Sequence, residues 1–279
     1  GMIETPIVIH LAQRPGPATG LPTRTEQGDL NLVMFSGHGD FPRIVFAPGR
    51  LEDGYIIMQK AFNLADKYQV PVFVLTDQYY MDSYYNLSPN KIENLKIEKH
   101  IIKTEESYKR FRLTDTGISP RGIPGFGSGL VCVDSDEHDE EGRIIEDHDL
   151  RIKMVDKRLK KMELIKNEVD GPVLFGPGDY DNIIVCWGST VNSILETLEK
   201  INHSRTSVLY FRQVFPLPRN INKYLESAKK RIIIEGNAAS QFGRLIESET
   251  GCKFDERILK YNGLQFSVEE LTEKITKIL

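Results

Sequence analysis

Cysteine is scarce in this chain of 279 residues: Cys132, Cys186 and Cys252 lie far apart and are odd in number. That argues against a disulfide framework, fits a reducing compartment, and leaves too few thiolates for a four-cysteine iron–sulfur cluster. No apolar run approaches the ~20 residues of a membrane span. Nor is there a signal peptide with its basic, apolar and small-residue zones, so the expected location is the cytoplasm. Basic charge is not in surplus either. With 36 Lys and Arg against 40 Asp and Glu, and a net charge of −4, nothing asks for nucleic acid or an anionic membrane. Glycine fingerprints fail as well. No lysine precedes the Ser189-Thr190 pair, and no G-x-G-x-x-G opens a helix, which removes the P-loop and dinucleotide readings.

What is present is an ordinary globular composition, 40% hydrophobic and 27% charged, of a length suited to about two domains. The pattern near the start is strand, helix, strand, helix, strand. Ile7–Ile9 reads as a strand, about 26–34 as a helix, and 43–47 as a short buried strand. The clearest helix follows, with Leu51, Tyr55, Ile56, Phe62, Leu64, Ala65 and Tyr68 at helical spacing, then an apolar strand over 70–75. Continuous apolar strands alternating with helices predict a parallel sheet covered on both faces. Three strands make a thin sheet, so this unit reads as the second half of something larger.

The pattern degrades between Thr76 and Gly171. Tyr79, Tyr80, Tyr84 and Tyr85 crowd one stretch, Lys91 to Arg112 is charged and weakly periodic, and Gly122 to Gly129 reads as flexible or tightly turned. An acidic tract over 134–141 offers His138, Asp139 and Glu140 as metal ligands. A solvated loop is the preferred reading, because consecutive residues rarely converge on one ion. A basic helix, about Leu150 to Lys166, closes the region. From Gly171-Pro172 a more regular parallel unit follows, with strands near 182–186, 207–211, 231–235 and 254–261 and helices near 191–201, 221–228, 238–247 and 268–278.

The loop after the first strand is the strongest functional candidate. It carries Arg14 among Pro15, Gly16, Pro17, Gly20 and Pro22. A guanidinium is a permanent cation with a planar fork of donors, suited to a carboxylate or phosphate. A helix opening near Thr25 would add unpaired N–H groups. An ordinary strand-to-helix connection whose arginine pairs with a neighbouring acid is the alternative. Gly188-Ser189-Thr190 reads as a plain turn with Thr190 as helix N-cap. Asn237, Gln241 and Gly243 sit where a strand feeds a helix, the usual place for ligand or partner contacts.

Longer motifs go further. ETPIVIHLAQRPGPATGLPTRTEQGDL (4–30), GHGDFPRIVFAPG (37–49) and VPVFVLTDQY (70–79) closely resemble the α subunit of the 2-oxoacid:ferredoxin (acceptor) oxidoreductases. GISPRGIPG, DEHDEEGRI, IIVCWGST, VFPLP and IIIEGNAASQFGRLI extend the resemblance, in the family's order, over essentially the whole chain. It implies part of a transketolase-type pyrimidine-binding domain in residues 1–110, a linker with the acidic loop and basic helix in 111–171, and a transketolase C-terminal-type parallel α/β domain in 172–279. It further implies oxidative decarboxylation of a 2-oxoacid to acyl-coenzyme A. Thiamine diphosphate would lie between this subunit and a β subunit, and magnesium and an iron–sulfur cluster would be held mainly by partner subunits. Further γ and δ subunits and ferredoxin complete the expected assembly. Arg14 matches the family arginine that grips the substrate carboxylate, and Thr23 a threonine near the oxo-acid end. The family's opening segment, with a threonine motif and a glutamate that bonds the pyrimidine, has no counterpart here, so the chain alone is expected to be inactive. A truncated, non-catalytic assembly module is the competing expectation.

Overall fold

The computed structural model describes residues 1–84, 86–87, 94–202 and 204–279; Tyr85 and Lys91, named above, lie outside the described residues. The first sheet has the order β1-β3-β2-β9, with β1 at Ile7–Gln13, β3 at Pro71–Asp77, β2 at Ile44–Phe46 and β9 at Gln213–Phe215. β1, β3 and β2 are parallel, and β3, between the other two, is buried along its whole length. β9 comes from the later part of the chain and adds to β2 antiparallel. Helix α2, Leu51–Tyr68, covers this sheet. Glu52 and Asp53 suit its N-terminal dipole, and Gln69 ends it in a left-handed conformation, donating its N–H to Ala65 O. Its buried face is Ile57, Ala61, Leu64, Ala65 and Tyr68, while Tyr55 and Phe62, expected inward, are exposed.

The second sheet has the order β11-β10-β7-β8-β6. Its parallel strands are β7 (Asn182–Trp187), β8 (Thr206–Phe211), β10 (Lys230–Glu235) and β11 (Glu256–Leu259). The edge strand β6 (Val173–Phe175), unanticipated, pairs antiparallel with β8. Helices α5 (Thr190–Ile201) and α8 (Val268–Ile278) close one face over Ile184, Cys186, Ile232 and Ile234. The other face, Ile183, Val185, Trp187 and Ile233, shares one core with Val45, Phe73 and Leu75 of the first sheet. Helices α6 (Ile221–Glu226) and α7 (Gln241–Thr250) pack into that same core. The two units are thus held together by a common apolar layer, the main driving term for such an arrangement.

Two local expectations are corrected, and a third element, the expected basic helix, is more buried than its composition shows. The helix of the opening region, α1, is Leu30–Phe35, only six residues, so no helix opens at Thr25. The backbone N–H groups of Thr25 and Gln27 go instead to Gly263 O (3.1 Å) and Gly236 O (2.7 Å) in the second unit. The glycine-rich stretch is a strand, β5 (Arg121–Gly127), lying parallel to β4 (Ile101–Thr104). A Cβ at Gly127 would stand 2.2 Å from Thr104 O, so glycine is what lets the two strands approach. The basic helix is α4, His148–Ile165, capped by the Asp147 carboxylate on Leu150 N–H, and it is not basic outward alone. Lys157, Arg158 and Lys161 are buried, and both lysines ion-pair with the buried Glu4 carboxylate. Arg110 donates to the carbonyl oxygens of Ile3 (3.3 Å) and Glu4 (2.6 Å) beside them. Among the described residues no helix is long and apolar enough to cross a membrane.

Candidate functional site

The C-terminal ends of the parallel strands converge on residues 23–29. β1 ends at Gln13 and β3 at Asp77; β7 ends at Trp187 and β10 at Glu235. Asp77, nearly fully buried, accepts a 2.6 Å hydrogen bond from Ser189 Oγ and further bonds from Tyr80 N–H and the Thr25 hydroxyl. Burial raises its carboxyl above the usual range, and the donors pull the other way. Asp29 N–H reaches Gln13 Oε1 at 3.2 Å, and the Asp29 carboxylate accepts Arg14 N–H, so the loop 14–28 is pinched shut at its base.

Arg14 itself is exposed. Among the described residues its guanidinium has no hydrogen bond or ion pair, only a longer electrostatic attraction to Asp29, whose carboxyl burial pushes upward. The loop that carries it is tightly folded. Gly20 has φ +51°, and a Cβ there would stand 1.9 Å from Pro15 O, so only glycine fits. Ala18 (φ +52°) and Thr23 (φ +56°) adopt the left-handed conformation despite having side chains, which costs roughly 1–2 kcal/mol each. Backbone strain of this kind gathers at ligand-binding loops. Thr23 is exposed and lines a cleft of about 450 Å³ with Arg24, Thr25, Tyr79, Gly263 and Gln265; Arg14 does not line it.

Asn237 and Gln241 are engaged within the chain. The buried Asn237 amide donates to Glu235 (2.8 Å) and accepts from the N–H groups of Ala239 and Gln241, shaping the turn into α7. Gln241 donates to Gly28 O at 2.7 Å and accepts from Asn31 N–H at 2.8 Å, tying α7 to the opening loop. The buried Glu235 carboxylate takes the N–H groups of Phe242 and Gly243. Thr190 is not the N-cap: Ser189 holds that position, and the Thr190 hydroxyl turns back to Trp187 O. In the acidic tract, Glu137 pairs with Arg151 and Arg158, Glu140 pairs with Lys109, and His138 is buried against Phe111. Burial lowers the His138 imidazole below its ordinary value.

A second cavity, about 240 Å³, lies among His10, Gly54, Met58, Val74, Thr76 and Tyr80, under the strand ends of the first sheet. It is mainly apolar, with His10 Nε2 and Thr76 Oγ1 joined at 2.8 Å as its polar edge. Sequence reasoning had not singled out His10, Gln13, Gln27 or Asp77. Only the position of His10, Gln13 and Asp77 within or at the end of apolar strands signalled them; Gln27 reads as an ordinary polar residue.

Fold and site together define a two-unit parallel α/β protein that presents a strained, arginine-bearing loop at the shared C-terminal ends of both sheets. Residues 1–157 match the family "Pyruvate flavodoxin/ferredoxin oxidoreductase, thiamine diP-bdg", and the chain belongs to it. It is 39% identical, over its whole length, to the α subunit of 2-oxoacid:ferredoxin oxidoreductase 1 of Sulfurisphaera tokodaii, spanning 45% of that relative. The 2-oxoglutarate synthase subunit KorA of Methanocaldococcus jannaschii is 31% identical over 98% of the chain and 74% of the relative. A solved 2-oxoglutarate:ferredoxin oxidoreductase from Magnetococcus marinus, with 2-oxoglutarate, coenzyme A and succinyl-CoA bound, superposes with a TM-score of 0.89 at 30% identity, over 99% of this chain and 49% of that one.

Proposed function

We propose that this chain is the α-subunit portion of a thiamine diphosphate-dependent 2-oxoacid:ferredoxin oxidoreductase, which oxidatively decarboxylates a 2-oxoacid to an acyl-coenzyme A thioester. The observation that carries the reading is Arg14: an exposed guanidinium without an ion-pair partner among the described residues, held on a strained loop where two parallel sheets end. Its fork receives the substrate carboxylate, and the Thr23 hydroxyl donates to an oxygen of the oxo-acid end. Because that carboxylate must depart as neutral carbon dioxide, Arg14 orients it rather than clamping it, since a clamp would stabilise the charged ground state more than the transition state.

Thiamine diphosphate supplies the electron sink when bound. The residues present fit one part of it. The 240 Å³ cavity is apolar and of ring size, and His10 and Thr76 offer hydrogen-bonding groups at its edge, so these residues would hold the aminopyrimidine. No group of three or more His, Cys, Asp or Glu among the described residues could hold a metal ion. In this reading magnesium, the diphosphate and the iron–sulfur cluster are held by partner subunits, with ferredoxin as the electron acceptor. The three free cysteines favour a cytoplasmic setting.

The test is steady-state kinetics of the assembled oxidoreductase carrying Arg14→Ala. A large loss of kcat/KM toward 2-oxoacids supports the reading; wild-type kinetics would remove Arg14 from the site.

A further inference from the structure

In the second sheet the chain leaves β7 toward β8 on one side and β10 toward β11 on the other, so β7 and β10 flank the topological switch point. Open α/β sheets bind ligands in the crevice beyond the strand ends at that point. Here the crevice is filled by a side chain of the opening loop. Gln27, 2% exposed, donates from Nε2 to Trp187 O at 2.8 Å, where β7 ends. Its Oε1 accepts the Gly236 N–H at 2.8 Å, just past β10, and its own N–H goes to Gly236 O at 2.7 Å. The residue after each strand is glycine. A Cβ at Gly188 would stand 2.7 Å from Gln27 Nε2, and one at Gly236 3.3 Å from Oε1, so the socket is open only because both side chains are missing.

We infer that Gln27 is the positioning residue of the Arg14–Thr23 loop. It occupies the switch-point crevice of the second unit, which takes no ligand of its own, and it transmits that unit's rigidity to the loop. The pinch between Gln13 and Asp29 fixes the loop within the first unit, and the Gln27 socket, with Gln241 on Gly28 and Asn31, fixes it against the second. A loop-borne guanidinium needs such support, because a misplacement of about 1 Å at a reacting centre lowers rate by up to ~10²-fold. The inference rests on the reading of Arg14 as the carboxylate-binding residue.

The experiment uses the assembled oxidoreductase with Gln27→Ala, the volume-preserving Gln27→Met, Arg14→Ala, and Arg14→Ala combined with Gln27→Met. Steady-state kinetics with a 2-oxoacid and hydrogen exchange at the amides of residues 14–29 are recorded for each. Gln27→Met is expected to lower kcat/KM ~10-fold or more, chiefly through kcat, to speed exchange in the loop while β7 and β10 stay protected, and to add nothing in the Arg14→Ala background. Wild-type kcat/KM in Gln27→Met, or a full additional effect on top of Arg14→Ala, overturns the inference and leaves the Arg14 reading intact. Wild-type kcat/KM in Arg14→Ala would instead refute the reading on which it rests. Gln27→Ala, which empties the socket, separates the lost hydrogen bonds from lost packing: a kcat/KM no lower than that of wild type in this variant also overturns the inference.

Discussion

Ser189 Oγ donates a 2.6 Å hydrogen bond to the buried carboxylate of Asp77, joining the end of β7 in one sheet to the end of β3 in the other. Asp77 also accepts from the Thr25 hydroxyl, so both units and the opening loop meet on one side chain. Burial raises its carboxyl above the unfolded value near 3.8. In that case the folded state binds more protons than the unfolded state, and stability falls as pH rises from about 4 through the folded value. Asp77→Asn is therefore expected to flatten the loss of stability in denaturant melts run upward from pH 4. Ser189→Ala removes one donor to a charged acceptor and should cost about 1–3 kcal/mol at neutral pH.

The Arg14 guanidinium is expected to govern substrate capture. In the assembled oxidoreductase, Arg14→Ala should lower kcat/KM for 2-oxoacids by ~10²–10³. Arg14→Lys should recover only part of this, since an ammonium keeps the charge and loses the planar fork. Equal kinetics for the lysine and wild-type forms would show that charge alone matters.

Among the described residues Glu4 is the one carboxylate paired with the two buried ammonium groups, and its carboxyl is held down to about 2 against strong desolvation by Lys161 and Lys157. A depressed folded value means stability that is present above about pH 4.5 and lost as pH falls toward 2. Lys161 is also lowered, but for a lysine that disfavours the charged form: burial brings it to about 8, so its contribution improves as pH rises from about 8 toward 10.5. Glu4→Gln leaves both lysines buried and unpaired and should cost ~3–5 kcal/mol. Lys161→Met should cost far less, because Lys157 still faces Glu4. Chemical denaturation of the two variants decides this; equal losses would contradict it.

Gly20→Ala forces a Cβ to within 1.9 Å of Pro15 O at φ +51°. The loop must open, and kcat/KM for a 2-oxoacid is expected to fall while hydrogen exchange at residues 14–24 speeds up. The core should be untouched, so Tm of the remaining structure should fall by no more than a few degrees, as for a local ~1–2 kcal/mol strain. A wild-type kcat/KM would show that the loop's folded-back shape is irrelevant to the site.

Much of the fold was readable because the apolar strands are continuous and α2, α5 and α8 carry clear 3.6-residue periodicity. The errors fall where partners are distant in sequence. β9 and β6 are three residues each, too short for a pattern, and exist because β2 and β8 offer them an edge. The glycine stretch 122–129 looked like a loop, yet its glycines are what allow close pairing with β4. The sequence shows Lys157 and Lys161 only as members of a basic helix, and it is the return of Glu4 beneath α4 that makes them interior.

By itself, the sequence determined the class of protein, the parallel α/β character of both units and the identity of Arg14 and Thr23 as candidates, since these rest on local composition and on long motifs. Tertiary structure decided what holds those candidates in place. Gln27 in the crevice between β7 and β10, Gln241 on the loop and Ser189 on Asp77 are contacts between residues 112 to 213 positions apart. Nothing in local sequence encodes such pairings. They follow from the packing of two sheets on one shared core, which brings four strand ends to a single loop.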